Sequence, residues 1–317
     1  MSRSSPRLTV GLPVYNGERH LPQLIESILA QTFTDFEFLI SDNASTDRTQ
    51  ELCLAYAARD PRISYFRNET NIGANANSDL LIRKARGAYF FLPGHDDVTR
   101  PTFFAACIAE LEKDPGLVLC HGLTGFIGPD GEDVDVGFRE AGEQPDLGRY
   151  DFRLFRHVAE EADPVARFRP FGRDVYFGDH HYGVIRRSVL LETRLFEPYY
   201  GSDTVLLSEL ALRGRFKTLD DVLFLRRIHR ESSFYLTPEQ QQEYAAPGQK
   251  RRAISRMTLS SAYARAVLHA ESLTPLQRIR CLMTIAGRTV HGMGTRIRRK
   301  VGQYAGMGAL RANGSRS

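Results

Sequence analysis

The sequence predicts an α/β protein with a mostly parallel central sheet flanked by helices, and three observations predict it. Short apolar runs alternate with stretches of helical spacing across residues 1–127, the pattern of strand–helix–strand units with right-handed crossovers. Conspicuous polar residues follow the ends of these runs, where such sheets bind ligands. The chain has 317 residues, 42% hydrophobic and 25% charged, so it is long enough for one large domain with an appendage and ordinary in its balance.

LTVGLPV (8–14) reads as the first strand and HLPQLIESILAQ (20–31) as the first helix, from apolar spacing alone. FEFLISD (36–42) is the next strand, followed by a Ser-Thr-Asp start signal and a helix through ELCLAYAARD. ISYFRNE (63–69) is strand-like and ANANSDLLIRKAR (74–86) helical. AYFFLPG (88–94) is a strand stopped by Pro93-Gly94, and GLVLCHGLTGFI (116–127) is another, with a helix near 101–113 between them. Residues 128–180, rich in Gly, Asp, Arg and Phe, are expected to be loops with short elements over the sheet's edge. HYGVIRRSVLLET (181–193) reads as a strand leading into a helix. GSDTVLLSELALRG (201–214) is a helix capped by Ser202 and stopped by Gly214. FKTLDDVLFLRRIH (216–229) is a strand or hairpin, and from about Pro238 the pattern is helical and basic.

The formal charge of +4 is unevenly spread, because Ser272–Ser317 holds nine Arg or Lys and no Asp or Glu. That asymmetry points to an anionic surface such as a membrane face, a polyanion or a phosphorylated ligand. Cys53, Cys107, Cys120 and Cys281 lie far apart without zinc spacing, so a reducing cytoplasm is the expected location. MSRSSPRLTVGLP lacks the apolar segment of a secretory signal, and no apolar run reaches membrane-spanning length.

The polar residues after the strands are Tyr15-Asn16, Asp42-Asn43 and His95-Asp96-Asp97. The last group is the oddest: GAYFFLPGHDDV places two adjacent carboxylates where a core strand ends, either to hold a cation or as a solvated turn. The first turn, LPVYNGER, carries only Gly17, so neither the three-glycine dinucleotide fingerprint nor a Walker A loop is present. A dehydrogenase or kinase is thereby disfavoured.

VGLPVYNGERHLPQLIESILAQTFTDFEFLISDNASTDRT (10–49) resembles the opening of the family 2 glycosyltransferases, inverting enzymes with the GT-A fold. The resemblance runs on through NETNIGANANSDLLIRKARGAYFFLPGHDDV (68–98). FEPYYGSDTVLLSELALRGRFKTLDDVLFLRRIHRESS (196–233) is similar to the acceptor half of bacterial members. It implies a GT-A catalytic domain over 1–235, with a nucleotide-binding half at 1–127 and an acceptor half at 128–235, then a basic helical extension at 236–317.

The resemblance also implies roles. Tyr15 would stack on the nucleotide base, with Pro13 and Asn16 shaping the turn. Asp42 would accept a base N–H, the alternative being a capping Asp. Glu18 and Asn43 would lie near base and ribose, and Gly73 and Asn75 near ribose or phosphates. The family writes its metal site as Asp-any-Asp, often with a further Asp; here Gly94 stands in the first place. Asp96 would be the direct ligand of Mg²⁺ or Mn²⁺, Asp97 a supporting carboxylate, and His95 a phosphate contact. Asp203 would be the general base, and Arg227 and His229 would meet the diphosphate. Glu209 and His121 read as structural, and the Asp179-His180-His181 cluster as acceptor-pocket or structural. The implied reaction takes a sugar from a nucleotide diphosphate sugar, UDP-linked by preference, to a hydroxyl of a glycan, lipid-linked or other acceptor in surface polysaccharide or glycoconjugate synthesis. Nucleic acid is not an expected partner; the basic tail reads either as a surface for anionic lipid on the inner face of the membrane or as a helical extension packed on the catalytic domain. A non-catalytic nucleotide- or glycan-binding GT-A module and a sugar nucleotidyltransferase are the competing readings. The latter should carry a glycine-rich basic first loop, which LPVYNGER is not.

Overall fold

The computed structural model describes residues 5–134, 157–173, 179–249 and 256–287. Eight strands, β1 (Leu8–Val14), β2 (Phe36–Asp42), β3 (Ile63–Arg67), β4 (Tyr89–Phe91), β5 (Val98–Thr99), β6 (Leu117–Ile127), β7 (Val184–Arg186) and β8 (Arg215–Arg227), form one sheet. Their order is β3-β2-β1-β4-β7-β6-β8-β5. The half from β3 to β4 is parallel throughout. The expected parallel character then gives way to a mixed pattern. β7 pairs antiparallel with β4 and β6, β6 and β8 run parallel, and β5 is antiparallel to β8.

Nine helices are named among the described residues: α1 (Leu21–Leu29), α2 (Thr49–Arg59), α3 (Ala74–Lys84), α4 (Phe103–Lys113), α5 (Pro164–Arg173), α6 (Arg187–Leu191), α7 (Ser202–Arg213), α8 (Pro238–Ala245) and α9 (Arg256–His269). Strand residues alternate between the two apolar layers that flank the sheet, as the two-residue repeat of a strand demands. Phe36, Phe38, Ile40 and Phe91 join Leu21, Leu24, Ile25 and Ile28 of α1 and Phe103 and Phe104 of α4 on one face. Leu39 and Phe90 join residues of α3, α5, α7 and α9 on the other. With helices on both faces, the strands carry near-continuous apolar runs rather than alternation with polar residues. Each large side chain so buried stabilises the fold by about 1.5–3 kcal/mol.

Four local differences from the sequence reading have physical causes. The 216–229 pattern is one continuous strand, β8, rather than a hairpin. Within 128–180, α5 is a true helix; Pro170 and Gly172 disguise it, but Phe168 and Phe171 bury its inner side. Ser202 is not the cap of α7: Gly201 holds that place in a left-handed conformation, and Ser202 is a buried first-turn residue. β5, only two residues long, gives no periodic signal. Within 128–180, residues 135–156 and 174–178 lie outside the described residues, as does the basic stretch 288–317.

Candidate active site

The carboxyl ends of β1, β2 and β4 meet the end of β8 and the start of α7, and the site is built there. After β1 the chain turns sharply, with Asn16 in a left-handed conformation (φ 50°) that Asn tolerates better than most residues. The turn is stitched to the loop after β2. Asn16 N donates to Ser45 Oγ (2.9 Å), and Thr46 N donates to Asn16 Oδ1 (2.8 Å). Glu18 N donates to Asp47 Oδ2 (3.0 Å) and Arg48 N to Glu18 Oε2 (2.9 Å). Asn16 and Glu18 therefore fix the turn, and Pro13 stands opposite Ser41 in the β1–β2 register. Tyr15, by contrast, is exposed beside this framework.

Asp42 departs from its sequence role. Its carboxylate is fully buried. Oδ1 accepts from Ser45 N (2.8 Å), and Oδ2 accepts from Tyr65 Oη (2.8 Å) and Arg67 Nη1 (2.7 Å). Asp42 thus ties the loop after β2 to β3 rather than capping α2, whose N-cap is Arg48, and in this structure it has no surface left to offer a base. Arg67 covers it and also donates to Ser45 O (2.7 Å), while keeping part of its own guanidinium exposed. Sequence reasoning missed Arg67. Its signal was register: parallel pairing sets Arg67 directly beside Asp42 at the strand ends.

Asn43 is likewise buried in a network rather than facing a ligand. Its Oδ1 accepts from Ile72 N (2.9 Å) and Asn68 Nδ2 (3.1 Å), and its Nδ2 donates to Asn71 Oδ1 (2.8 Å), so it shapes the 68–73 loop. Gly73 ends that loop at φ 85°, where a Cβ would lie 2.5 Å from Pro247 Cδ and 2.6 Å from Ala245 O. It is glycine because the end of α8 packs onto it. Asn75 reaches across the molecule: Nδ2 donates to Glu197 O (2.6 Å), Tyr199 O (3.0 Å) and Ser202 Oγ (3.0 Å). It positions the start of α7 rather than a phosphate.

Gly94–Asp97 form a tight turn held from both sides. Gln31 donates through Nε2 to Arg100 O (2.7 Å) and Thr99 Oγ1 (3.1 Å), and its Oε1 accepts from Phe104 N (3.0 Å). β5 then pairs Val98 and Thr99 with Leu225 and Phe224, which brings the turn to the end of β8. Here the two carboxylates separate in character. Burial raises the Asp96 carboxyl, but the hydrogen bond with His229 and the charges of His95 and His229 outweigh it and hold it well below the usual range. His229 Nε2 lies 2.7 Å from Asp96 Oδ2. Asp97 goes the other way: burial and then the charge of Asp96 push its carboxyl well up. Its Oδ1 accepts from Arg227 N (3.0 Å), Oδ2 has no hydrogen-bond partner, and the residue is 2% exposed. Asp97 is thus shut off from solvent, with its unpartnered Oδ2 lying beside Gly94 near Asp96 Oδ1; two like charges so close favour one ionised and one protonated.

Arg227 is also corrected. It is buried, and its guanidinium donates to Asp96 O (2.8 Å), Gly128 O (2.7 Å), Pro129 O (3.1 Å) and Gln23 Oε1. It clamps the turn, and in this structure its guanidinium is taken up by these bonds rather than facing solvent. His95 stays half-buried on the turn, next to Gly17.

Across the cleft, Asp203 stands in the first turn of α7, partly exposed, with His181 Nδ1 4.0 Å from Oδ2. Asp179 is engaged with Arg226 (2.8 Å), and His121 is buried with Nε2 3.2 Å from Thr124 Oγ1. Glu209 is buried and paired with Arg194 (2.7 Å), the structural role expected of it. Tyr244 of α8 was not singled out by the sequence. It is 49% exposed, yet its hydroxyl is pushed up by surrounding protein and by the charges of Asp96, Tyr200 and Asp203.

A metal would find the ionised carboxylate of Asp96, whose Oδ2 and the Nε2 of His229 now hydrogen-bond to each other, so His229 could serve as a ligand only by giving up that bond. No group of three or more His, Cys, Asp or Glu with metal-binding geometry occurs among the described residues. Two protein donors fit an oxygen-preferring ion that completes its shell with phosphate oxygens and water.

A parallel half-sheet with polar residues at its carboxyl ends, closed by β8 and α7, is the fold of solved glycosyltransferases. The S. aureus TarS 1–349 structure in complex with UDP superposes with a TM-score of 0.60 at 18% identity, covering 89% of this chain and 71% of that one. The mannosyltransferase PcManGT from Pyrobaculum calidifontis, solved with GDP-Man and Mn²⁺, gives 0.54 at 16%, covering 91% and 81%. The chain belongs to glycosyl transferase family 2, whose model matches residues 9–192. Among sequence relatives, the Escherichia coli chondroitin synthase is 29% identical over 133 residues, 42% of this chain but 19% of that relative's length.

Proposed function

We propose that this glycosyltransferase takes a sugar from a nucleoside diphosphate donor to an acceptor hydroxyl, with inversion at the anomeric carbon, in surface glycan or glycoconjugate synthesis. The observation that carries the reading is the pairing of an ionised Asp96 with His229 beyond the end of β4, together with a partly exposed Asp203 in the first turn of α7. Solved neighbours of the same fold hold UDP and GDP-Man, which supports a nucleotide-sugar donor.

The base would stack on Tyr15. With Asp42 covered, the edge it meets is the donor-rich guanidinium of Arg67. Such an edge suits the carbonyl oxygens of uracil, thymine or guanine and disfavours the amino group of cytosine or adenine. UDP is the favoured carrier. Asp96 and His229 would hold a divalent cation, Mg²⁺ or Mn²⁺. When bound, it would neutralise the negative charge that develops on the departing diphosphate. Asp203 takes the acceptor proton as the oxygen attacks, because a sugar hydroxyl is too weak an acid to ionise unaided. Its carboxylate faces the cleft, and Asn75 fixes the turn of α7 that carries it. Tyr244 and Tyr200 border the same space, where an aromatic face suits a pyranose ring.

Titration with UDP, GDP, dTDP and CDP, each with Mn²⁺ and with EDTA, tests the reading on the wild type, Asp96→Ala and Asp203→Asn. Metal-dependent binding of one diphosphate, lost in Asp96→Ala, supports it. Asp203→Asn should bind that diphosphate within about twofold while losing at least about 100-fold in turnover. Binding indifferent to metal and to Asp96, with no turnover, would leave the binding-module reading, which Gly94 favours.

A further inference from the structure

Two constraints meet at the turn after β1 and force a chemically labile pair. Position 16 sits in the left-handed region at φ 50°, which asparagine tolerates, and its Oδ1 accepts from Thr46 N (2.8 Å) and Thr46 Oγ1 (3.4 Å). A glycine there would keep the conformation but lose the acceptor. Position 17 has no room for a side chain: a Cβ would lie 2.7 Å from Val14 Cγ2 and 3.0 Å from His95 Cδ2. The fold therefore asks for asparagine followed by glycine. In that pair no Cβ shields the backbone nitrogen from the amide carbon of the asparagine side chain, so ring closure between them is easier than before a bulkier residue.

The folded turn keeps the two reacting groups occupied. Gly17 N is buried and donates to Thr49 Oγ1 (2.9 Å), which holds its proton in place. The flanking amides are pinned to the same loop, Asn16 N to Ser45 Oγ (2.9 Å) and Glu18 N to Asp47 Oδ2 (3.0 Å). Asn16 itself is exposed, so water and base reach its side chain.

We propose that Asn16 is a self-modification site gated by the hydrogen bond between Gly17 and Thr49. When the turn opens, solvent base takes the Gly17 amide proton, the nitrogen attacks Asn16 Cγ, and the side-chain nitrogen leaves as ammonia. Water then opens the five-membered imide at either carbonyl, leaving aspartate or, with the backbone running through Cγ, isoaspartate. The net change is NH2 replaced by OH, with water the only co-reactant. Isoaspartate adds a methylene to the backbone between Asn16 Cα and Gly17, which shifts Gly17 away from Thr49. The rate follows the population of the open turn, as for any reaction that needs local unfolding. None of these steps depends on the glycosyl-transfer reading.

The test is mass spectrometry of the tryptic peptide LTVGLPVYNGER (8–19) from the full chain, incubated in mildly alkaline buffer beside the synthetic peptide of the same sequence. Peptide-level measurement separates Asn16 from Asn313, which also precedes a glycine. Wild type, Thr49→Val and Thr49→Ser are compared. Asn16 of the wild type should convert at least about tenfold more slowly than the peptide, and Thr49→Val about three- to tenfold faster than the wild type. Thr49→Ser, which keeps the hydroxyl, should convert at the wild-type rate. If Thr49→Val does not fold, the wild type in sub-denaturing urea replaces it, and its rate should rise with urea. The proposal is overturned if the wild type converts as fast as the peptide. A rate indifferent to Thr49→Val, or to urea where that replaces it, overturns it equally, as does an Asn16 still unmodified in the opened turn after the peptide has converted completely.

Discussion

Restoring the family's Asp at position 94 should damage the site rather than complete it. A Cβ at Gly94 would lie 2.5 Å from Asp97 Oδ2 and 2.9 Å from Asp96 Oδ1, so the two carboxyls already occupy the space a side chain needs. Asp97 cannot retreat easily, since it is buried with Oδ1 held by Arg227 N. Gly94→Ala isolates the steric part, and overpacking of this kind costs about 1–3 kcal/mol. In a protein of this size that should lower the melting temperature by about 2–5 °C. Gly94→Asp adds a third carboxyl beside the ionised Asp96. At about 4 Å and an effective dielectric near 20, like charges cost about 4 kcal/mol, so the new group or a neighbour should protonate instead. Calorimetric melts of wild type, Gly94→Ala and Gly94→Asp, paired with Mn²⁺-dependent nucleotide titrations, check the chain of reasoning. Both variants should melt lower, and Gly94→Asp should bind no more tightly than wild type. An Ala variant melting within a degree of wild type, or an Asp variant with tighter metal-dependent binding, would refute it.

Asn75→Ala removes three donated hydrogen bonds to the Glu197–Ser202 segment; turnover should fall at least about tenfold with nucleotide affinity nearly unchanged, since Asn75 positions α7. If nucleotide affinity falls first, Asn75 touches the donor after all. Burial lifts the Asp79 carboxyl to about 6 from an ordinary 3.8, outweighing the hydrogen bond from Phe196 N and the charge of Arg83. A raised carboxyl stabilises the fold below pH 3.8 and loses that contribution as pH rises through 6. Asp79→Asn should therefore be the more stable protein at pH 7, by on the order of 1 kcal/mol after solvent screening, with the gap closing toward pH 4 in denaturant melts. Arg67→Ala uncovers the buried Asp42 carboxylate, and should weaken binding of UDP and GDP while narrowing their advantage over CDP in the same titrations.

Much of the nucleotide-binding half was legible because its signals are local. β1 and β2 were read to the residue, and β3, β4 and α1 to α4 to within a few residues at their ends, since period and length alone specify them. Gln31, just past the end of α1, holds Arg100 and Phe104, a purpose that is tertiary. α5 was lost to Pro170 and Gly172, and β5 to its two-residue length. Which polar residues face the cleft was harder still. Asp42, Asn43, Asp97 and Arg227 are types that ligands favour, but each is buried in bonds to its own chain.

The sequence by itself determined the α/β class, the strand ends at which the site forms, and the family through its contiguous blocks. These follow from short-range periodicity and turn chemistry, which act within a few residues. Only the tertiary structure decided which carboxylate carries charge. Asp96 and Asp97 are neighbours of identical chemistry, and the difference between them comes from β5 pairing with β8, which turns Asp97 inward and sets His229 against Asp96. Ionisation depends on burial and on charges brought close from far along the chain, and no reading of adjacent residues contains those distances.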